Sequence, residues 1–377
     1  MIFNMKSKHD TTGAIRAALD AADALSARAL RSAGIPVRPR LATVNVTDRC
    51  NCRCTICDIH KRPATDELTP DDYHRLFSDP AAARIRVVRL TGGEPFIRGD
   101  MAKIAAAALA APELRFLHIT TNGGFPDRAA AVAEAIAAKA PGALHIQVSL
   151  DALDTRHDDT RGVSGALANA LETLEKLSAL RRGLDFHFGI NQTVMPGTLD
   201  QMRPIGELSQ RLGAGHSIFL AARHHEGKDY RSALTNGRPL PFEPQLPMSK
   251  KQIKEFYSVF EEIKTNAYHS RIRRGSPSAA LRDLSEEYIN DGGRSRLLHN
   301  RNEPAPPCMA MFTHLRVTAS GDIISCSALS DVPAGNLRRS GFGEIWQSAE
   351  SKRLRRRVAS CPGCWIECDI NPSIFFS

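Results

Sequence analysis

A chain of 377 residues is too long for one ordinary compact core unless that core is a barrel, so its length allows two or three structural units. Its 42% apolar and 24% charged residues exclude a long disordered protein, and no apolar run approaches the ~20 residues that a membrane-spanning helix needs. The net charge of +9 would draw an anionic ligand but reads as a solvated Arg-rich surface, not as a nucleic-acid footprint; the polar segment Met1 to Asp10 lacks the apolar stretch of a secretory signal, which points to the cytoplasm.

Residues 11–33 are Ala-rich and predict a helix ended by Gly34 and Pro36. From residue 41 onward short apolar runs alternate with helical stretches. Strands are predicted at 41–47, 85–91, 116–121, 144–150, 184–194 and 217–221, and helices at 69–78, 99–110, 127–139, 164–181 and 198–212. This alternation predicts an α/β fold with a parallel sheet and right-handed crossovers. The pattern does not choose between a doubly wound sheet and a barrel. Small and polar residues cluster just after four strands, at 91–95, 120–123, 149–151 and 191–193, where α/β barrels gather their active sites. Residues 222–247 read as a long loop, with helices following at 249–266 and 277–290. The stretch 291–307 reads as a polar, Pro-rich linker, 314–318 and 322–326 as a hairpin about Ser320-Gly321, and the basic run Arg353 to Arg357 as part of an exposed helix.

The nine cysteines fall into two groups, four between 50 and 57 and five between 308 and 368. An odd count without a secretory signal points to metal ligands or catalytic groups, not disulfides. Cys50, Cys54 and Cys57 share one loop after the first strand, and thiolates at such spacing favour an iron–sulfur cluster or zinc. Three protein ligands on a four-iron cubane leave one iron open to a substrate or cofactor. In the second group Cys308, Cys326, Cys361 and Cys364, with Cys368 as a fifth candidate, fit either a four-thiolate zinc ribbon or a cluster.

The first group, together with Gly92-Gly93-Glu94-Pro95 about 40 residues later, resembles the radical S-adenosylmethionine (SAM) superfamily. The resemblance continues through Thr121-Asn122-Gly123, Ser149-Leu150-Asp151 and His157-Asp158-Asp159-Thr160-Arg161-Gly162, a pattern of the branch with auxiliary clusters. It implies a partial (β/α)6 barrel over 41–222 whose 4Fe–4S cluster, held by Cys50, Cys54 and Cys57, binds SAM and cleaves it to a 5′-deoxyadenosyl radical. It further implies that Gly92, Gly93 and Glu94 receive the SAM amino group and that Ser149 and Arg161 meet its carboxylate or ribose. Thr121, Asn122, Asp151 and Asn191 would complete the cofactor site, with Phe219–Ala221 offering backbone groups to adenine. Cys52 has no counterpart among the ligands and reads as a spare small thiol, and Ile56 stands where the family often has an aromatic residue.

Residues 301–377 resemble the SPASM/twitch extension, including Gly335-Asn336-Leu337 and Ile345-Trp346, which implies a small α+β domain with one auxiliary 4Fe–4S cluster. An N-terminal helical segment, 1–40, and substrate-side elements, 223–300, complete the division. In the latter, Arg223, His224, His225, Lys228 and Tyr230 follow the sixth strand as candidate substrate contacts. The resemblance implies an oxidoreductase or mutase-type enzyme served by a flavodoxin- or ferredoxin-type reductant, with no membrane or nucleic-acid partner. The helix before the barrel is too short for a leader-binding domain. A small-molecule substrate (sugar, aminocyclitol or nucleotide-linked) is therefore favoured over a peptide to be cross-linked, epimerised or oxidised. A non-catalytic zinc- or cluster-binding module is the reading of another class. No catalytic acid or base is identifiable.

Overall fold

Residues 41–47, LATVNVT, form the central strand β1 (Leu41–Thr47), flanked on both sides in the sheet. The computed structural model describes residues 25–365 except 28, 33–34, 64–65, 224–236, 238, 274–276, 328–329 and 331, and over 266–285 the backbone only. The helix expected at 11–33 therefore lies largely outside the described residues. Along the chain follow α1 (Pro70–Ser78), β2 (Val87–Gly92), α2 (Met101–Ala108), β3 (Phe116–Thr121), α3 (Pro126–Ala137) and β4 (Leu144–Ser149). Next come α4 (Thr155–Arg161), α5 (Ala166–Leu180), β5 (His187–Val194), α6 (Met202–Leu212) and β6 (Gly215–Leu220). All six strands pair in parallel in the order β6-β5-β4-β3-β2-β1.

Sequence expectation and structure differ mainly at strand starts. Ile85 donates its N–H to Ala82 O and closes a turn, so β2 begins two residues later than expected. Leu184 likewise bonds back to Leu180 O at the end of α5. Helix α4, hidden in the sequence inside a motif, starts where the Asp154 side chain accepts from Arg156 N.

The strands alternate. Val88, Leu90, Leu117, Ile119, Ile146 and Val148 are fully buried against the helices, while Arg89, His118, Thr120, His145 and Gln147 between them are half-buried on the opposite, concave face. A parallel sheet covered on both faces reads as continuous apolar runs. This one has a polar inner face, as a barrel with an open interior requires.

After β6 come α7 (Lys250–Arg273) and α8 (Pro277–His299). The expected linker at 291–307 is thus overturned for 291–299. Helix α8 continues because Leu297 and Leu298 pack on the cluster of Ile253, Phe256, Tyr257 and Phe260 from α7. The pair covers the exposed edge of β6 with side chains. Glu286 Oε1 accepts from Ile218 N (2.7 Å), Asn290 Nδ2 donates to Ile218 O (3.4 Å), and Lys264 Nζ donates to His216 O (2.6 Å) and pairs with Glu286 (2.8 Å). An edge strand is otherwise a template for unwanted pairing.

The expected hairpin appears as β7 (His314–Val317) and β8 (Asp322–Ile324), followed by β9 (Gly335–Asn336). It joins the same sheet, β7 lying parallel to β1, so one nine-stranded sheet runs from β6 to β9. Helices α9 (Phe342–Gln347) and α10 (Ala349–Ala359) pack behind it. The expectation of an exposed helix at Arg353 to Arg357 is corrected at two residues: Leu354 is buried in the core, and so is a charged side chain beside it. Arg355 is buried, stacked 4.7 Å from the Trp346 ring, with Nε donating to Met311 O (2.7 Å) and Nη2 to Trp346 O (2.6 Å). The apolar side of α10 needs that guanidinium to satisfy two buried carbonyls.

Glu286→Ala should lower unfolding free energy by about 3–5 kcal/mol, because it strands the buried Lys264 and the Ile218 N–H. Glu262→Ala, which breaks the exposed pair with Arg203, should leave the midpoint of urea unfolding close to that of the parent.

Candidate active site

The loop after β1 is gripped from two sides through its backbone. On one side Gly93 N donates to Thr47 O (2.7 Å) and Glu94 N to Arg49 O (2.9 Å). On the other Arg53 N donates to Arg161 O (2.8 Å) and Thr55 N to Thr160 O (2.9 Å). Both contacts need glycine. A Cβ on Gly93 would stand 2.0 Å from Arg49 O, and one on Gly162, whose φ is +64°, would stand 2.5 Å from Arg53 O. Gly92, the other half of the first turn, packs against Thr47 in the same way. Glu67 ties down the base of the loop, accepting from the Thr47 hydroxyl and pairing with Arg49 (2.9 Å).

On this clamped loop Cys50 and Cys54 are half-buried, Cys52 is buried and Cys57 is exposed. The Cys52 thiol hydrogen-bonds toward Cys50 and Cys54 and lowers the pKa of both; Cys54, helped by Arg161, comes down to about 6. Asn122 faces the same sulfurs. Its Oδ1 accepts from Gly124 N (2.8 Å), which turns its amide nitrogen toward Asn51 Oδ1 (2.8 Å) and Cys52 Sγ (3.2 Å).

The strand ends bring most of the expected cofactor residues around this loop, and several are already engaged by protein. Glu94 is wholly buried and accepts from Phe96 N (2.9 Å), the Thr121 hydroxyl (2.8 Å) and Asn122 N (2.6 Å). Burial nevertheless pushes its carboxyl up to about 7. Asp151 accepts from Thr193 N (3.0 Å) and pairs with Arg161 Nη2 (2.8 Å). Arg161 Nη1 lies 4.0 Å from Cys54 Sγ, and its buried Nε has no protein partner. Ser149, the last residue of β4, lies in register beside Asn191, which is within β5, three residues before its end.

Of the backbone groups expected for adenine, Ala221 N donates to Val194 O (2.9 Å) and Ala221 O accepts from Gln245 N (2.7 Å). Arg223 is exposed, 3.7 Å from Glu243. His224, His225, Lys228 and Tyr230 lie outside the described residues, as does Cys368.

Cys308, Cys326, Cys361 and Cys364 are half-buried in the extension. Cys308 packs beside Met309, Ala310 and Phe312, and Cys326 follows β8. The segment carrying Cys361 and Cys364 is fastened to α8 by a residue the sequence had not singled out. Trp365 Nε1 donates to Ile289 O (2.9 Å), and its ring lies 3.9 Å from the Arg296 guanidinium. Gly292 leaves room for that ring.

No three His, Cys, Asp or Glu side chains among the described residues stand as a ready-made metal cage. The donor chemistry nevertheless fits a thiolate-bound cluster: three thiols on one clamped loop, two of them with lowered pKa, beside a buried guanidinium with an unsatisfied N–H.

Residues 44–204 match the Radical SAM superfamily, and residues 308–369 match SPASM, an iron–sulfur cluster-binding domain. The chain belongs to the radical SAM superfamily, in its SPASM branch. These domains imply SAM binding and 4Fe–4S clusters, and they make this radical SAM protein an enzyme of that family. It is 28% identical over 326 residues to the AdoMet-dependent heme synthase of Methanosarcina barkeri, covering 84% of this chain and 85% of that one. It is 34% identical over 148 residues to a GTP 3′,8-cyclase of Pelotomaculum thermopropionicum, covering 37% of this chain and 42% of the cyclase. In fold it resembles Streptococcus suis SuiB bound to S-adenosylmethionine, with a TM-score of 0.58 and 14% identity over 87% of this chain and 70% of SuiB. None of the helices among the described residues is long and apolar enough to cross a membrane.

Gly93→Ala should displace the cysteine loop. Iron retained after anaerobic reconstitution should fall severalfold and stability by about 1–3 kcal/mol, whereas Gly99→Ala, with nothing near its Cβ, should do neither. A second expectation concerns pH. His157 is buried, its Nδ1 accepts from Asp151 N (3.2 Å), and burial, then Arg161, hold its pKa down from 6.5 to about 4. The unfolded chain then takes up the proton more readily than the folded one. Stability should be lost as pH falls from about 6.5 to about 4, by roughly 3 kcal/mol when complete. The loss is read as the difference in urea midpoints from His157→Asn, which should lack it.

Proposed function

We propose that this protein is a radical SAM oxidoreductase acting on a small molecule, with its SAM-binding 4Fe–4S cluster on Cys50, Cys54 and Cys57. When bound and reduced, that cluster supplies the electron that splits SAM into methionine and a 5′-deoxyadenosyl radical able to remove a substrate hydrogen. The clamp on the cysteine loop is the observation that carries this reading, since it holds three thiols and Arg161 at the mouth of the barrel.

The chain's own residues divide the remaining work. Arg161, anchored by Asp151, is the cation a SAM carboxylate would meet, and its unsatisfied Nε supplies a further donor. Glu94 fixes the Gly92–Gly93 turn and the ends of β3, leaving backbone groups of that turn for the amino group. Thr121 and Asn122 shape the wall beside the thiols, and Ser149 and Asn191 are the ribose side. Cys308, Cys326, Cys361 and Cys364, with Cys368 as the fifth candidate, would hold one auxiliary 4Fe–4S cluster. Such a cluster supplies an electron acceptor, which suits a net two-electron oxidation. A flavodoxin- or ferredoxin-type protein would supply the reducing electron. The same reading divides the chain into a helical segment (1–40), barrel (41–222), substrate-side elements (223–300) and cluster-bearing extension (301–377).

The preference for a small molecule is supported by relatives matched along most of their length, which are named for heme synthesis, and by relatives matched over a shorter stretch, named for GTP cyclisation.

Anaerobically reconstituted protein should hold about eight irons and convert SAM to 5′-deoxyadenosine under reductant. Cys54→Ala should hold about half that iron and form no 5′-deoxyadenosine. Colourless protein with stoichiometric zinc, or a Cys54→Ala variant that cleaves SAM at the parent rate, would refute the reading.

A further inference from the structure

The Gly335-Asn336-Leu337 turn of the extension reaches the cysteine loop through one arginine. Asn336 pins the turn. Its Nδ2 donates to Ser320 O (3.1 Å) and Asp322 Oδ1 (2.8 Å), and its Oδ1 accepts from Arg338 N (2.9 Å). Leu337 N donates to Gly321 O (2.9 Å). An Asn side chain bonded in this way to nearby backbone fixes a turn. The chain after β9 is thereby locked onto the β7–β8 turn, with Arg338 directed at residues 66–68.

Arg338 Nη1 pairs with Asp66, and Nη2 donates to Glu67 O (2.6 Å), 271 positions away in the chain. The next residue is fastened to the same extension. Leu68 N donates to Ala319 O (2.9 Å), and its wholly buried side chain packs on Gly321, where a Cβ would stand 2.8 Å from Leu68 Cδ2. Residues 66–68 are therefore held by the C-terminal strands.

From there the Glu67 side chain turns toward the cysteine loop. Its carboxylate accepts from the Thr47 hydroxyl and from Arg49 Nε (3.1 Å) and Nη2 (2.9 Å). Buried Arg98, which donates to Val46 O (2.8 Å), lies 3.5 Å from the same carboxylate. Thr47 and Arg49 are the two residues whose carbonyls receive Gly93 N and Glu94 N. One carboxylate thus sets both acceptors of the first clamp, and the extension sets its backbone. Global stability does not ask for the Arg338 contact, because an exposed pair such as Arg338–Asp66 adds little to it. The bond to Glu67 O acts locally instead, on the backbone of the residue that holds the loop.

We propose that Glu67 and Arg338 are positioning residues through which the C-terminal extension holds the cysteine loop in its SAM-binding shape. The proposal rests on the radical SAM reading above and gives the extension a role separate from any cluster it carries.

The test uses the anaerobically reconstituted full-length protein with three readouts: SAM affinity by calorimetry, the electron paramagnetic resonance signal of the reduced cluster with SAM, and hydrogen exchange of the Gly93 and Glu94 amides. Glu67→Ala should weaken SAM binding by about tenfold, alter the SAM-bound signal and speed exchange of both amides. Arg338→Ala should weaken SAM binding by about threefold. It should keep the parent's urea midpoint, so that it reads the loop without loss of the fold. Glu67→Gln, which keeps an acceptor for the Thr47 hydroxyl, should recover most of the affinity lost in Glu67→Ala. Arg353→Ala, which breaks an exposed pair with Glu350 in the same extension, should move none of the readouts. Because Arg338 acts through Glu67, adding Arg338→Ala to Glu67→Ala should cost nothing further. Unchanged SAM affinity and amide exchange in Glu67→Ala, or an equal loss from Arg338→Ala in both backgrounds, would overturn the proposal. Failure of the parent itself to bind and cleave SAM would instead remove the radical SAM reading, with amide exchange still testing the hold on the loop.

Discussion

The loop between Asp48 and Thr55 has its shape imposed by hydrogen bonds to other parts of the backbone. Gly93 and Glu94 donate to one end of it, and Arg161 and Thr160 accept from the other. These contacts require the chain to come within the radius of a methyl group at Gly93 and Gly162, so the two turns work only where no side chain exists. Each turn brings a charged residue with it, Glu94 on one side and Arg161 on the other. The thiols, the carboxyl and the guanidinium thus share one backbone framework, with Asp151 fixing the guanidinium and Thr121 the carboxyl.

The sheet around that loop handles its two borders differently. At β6 the free backbone groups are met by Glu286, Asn290 and Lys264 from a helical pair. At β1 the C-terminal strands continue the sheet. The second arrangement has a chemical consequence as well as a structural one, because it adds His314 and Arg316 to the inner face. A surface meant only for packing would be apolar there. The polar alternation along β2, β3 and β4 instead lines the interior with hydrogen-bonding side chains.

Several motif residues do less direct work than their spacing suggests. Glu94 has three protein donors around it, and Asp151 is taken up by Arg161 and Thr193 N. Both organise the site from within the protein. Asn122 is turned toward the cysteines by Gly124. Trp365 and Arg296 were invisible as a pair, since residues 69 positions apart share no periodicity and meet only once α8 lies beside the extension.

Local chemistry was enough to read the six strands and their order of appearance, the thiol spacing, and the glycine turns that follow the strands. These features rest on period-two alternation, on turn residues and on ligand spacing, all expressed within a few residues of chain. The strand that borders β1, the continuation of α8 through 291–299, the burial of Arg355 and the reach of Arg338 to Glu67 were decided by tertiary structure alone. Register between distant strands and packing between distant helices depend on which surfaces meet. A single line of residues carries no record of that until the backbone hydrogen bonds are made.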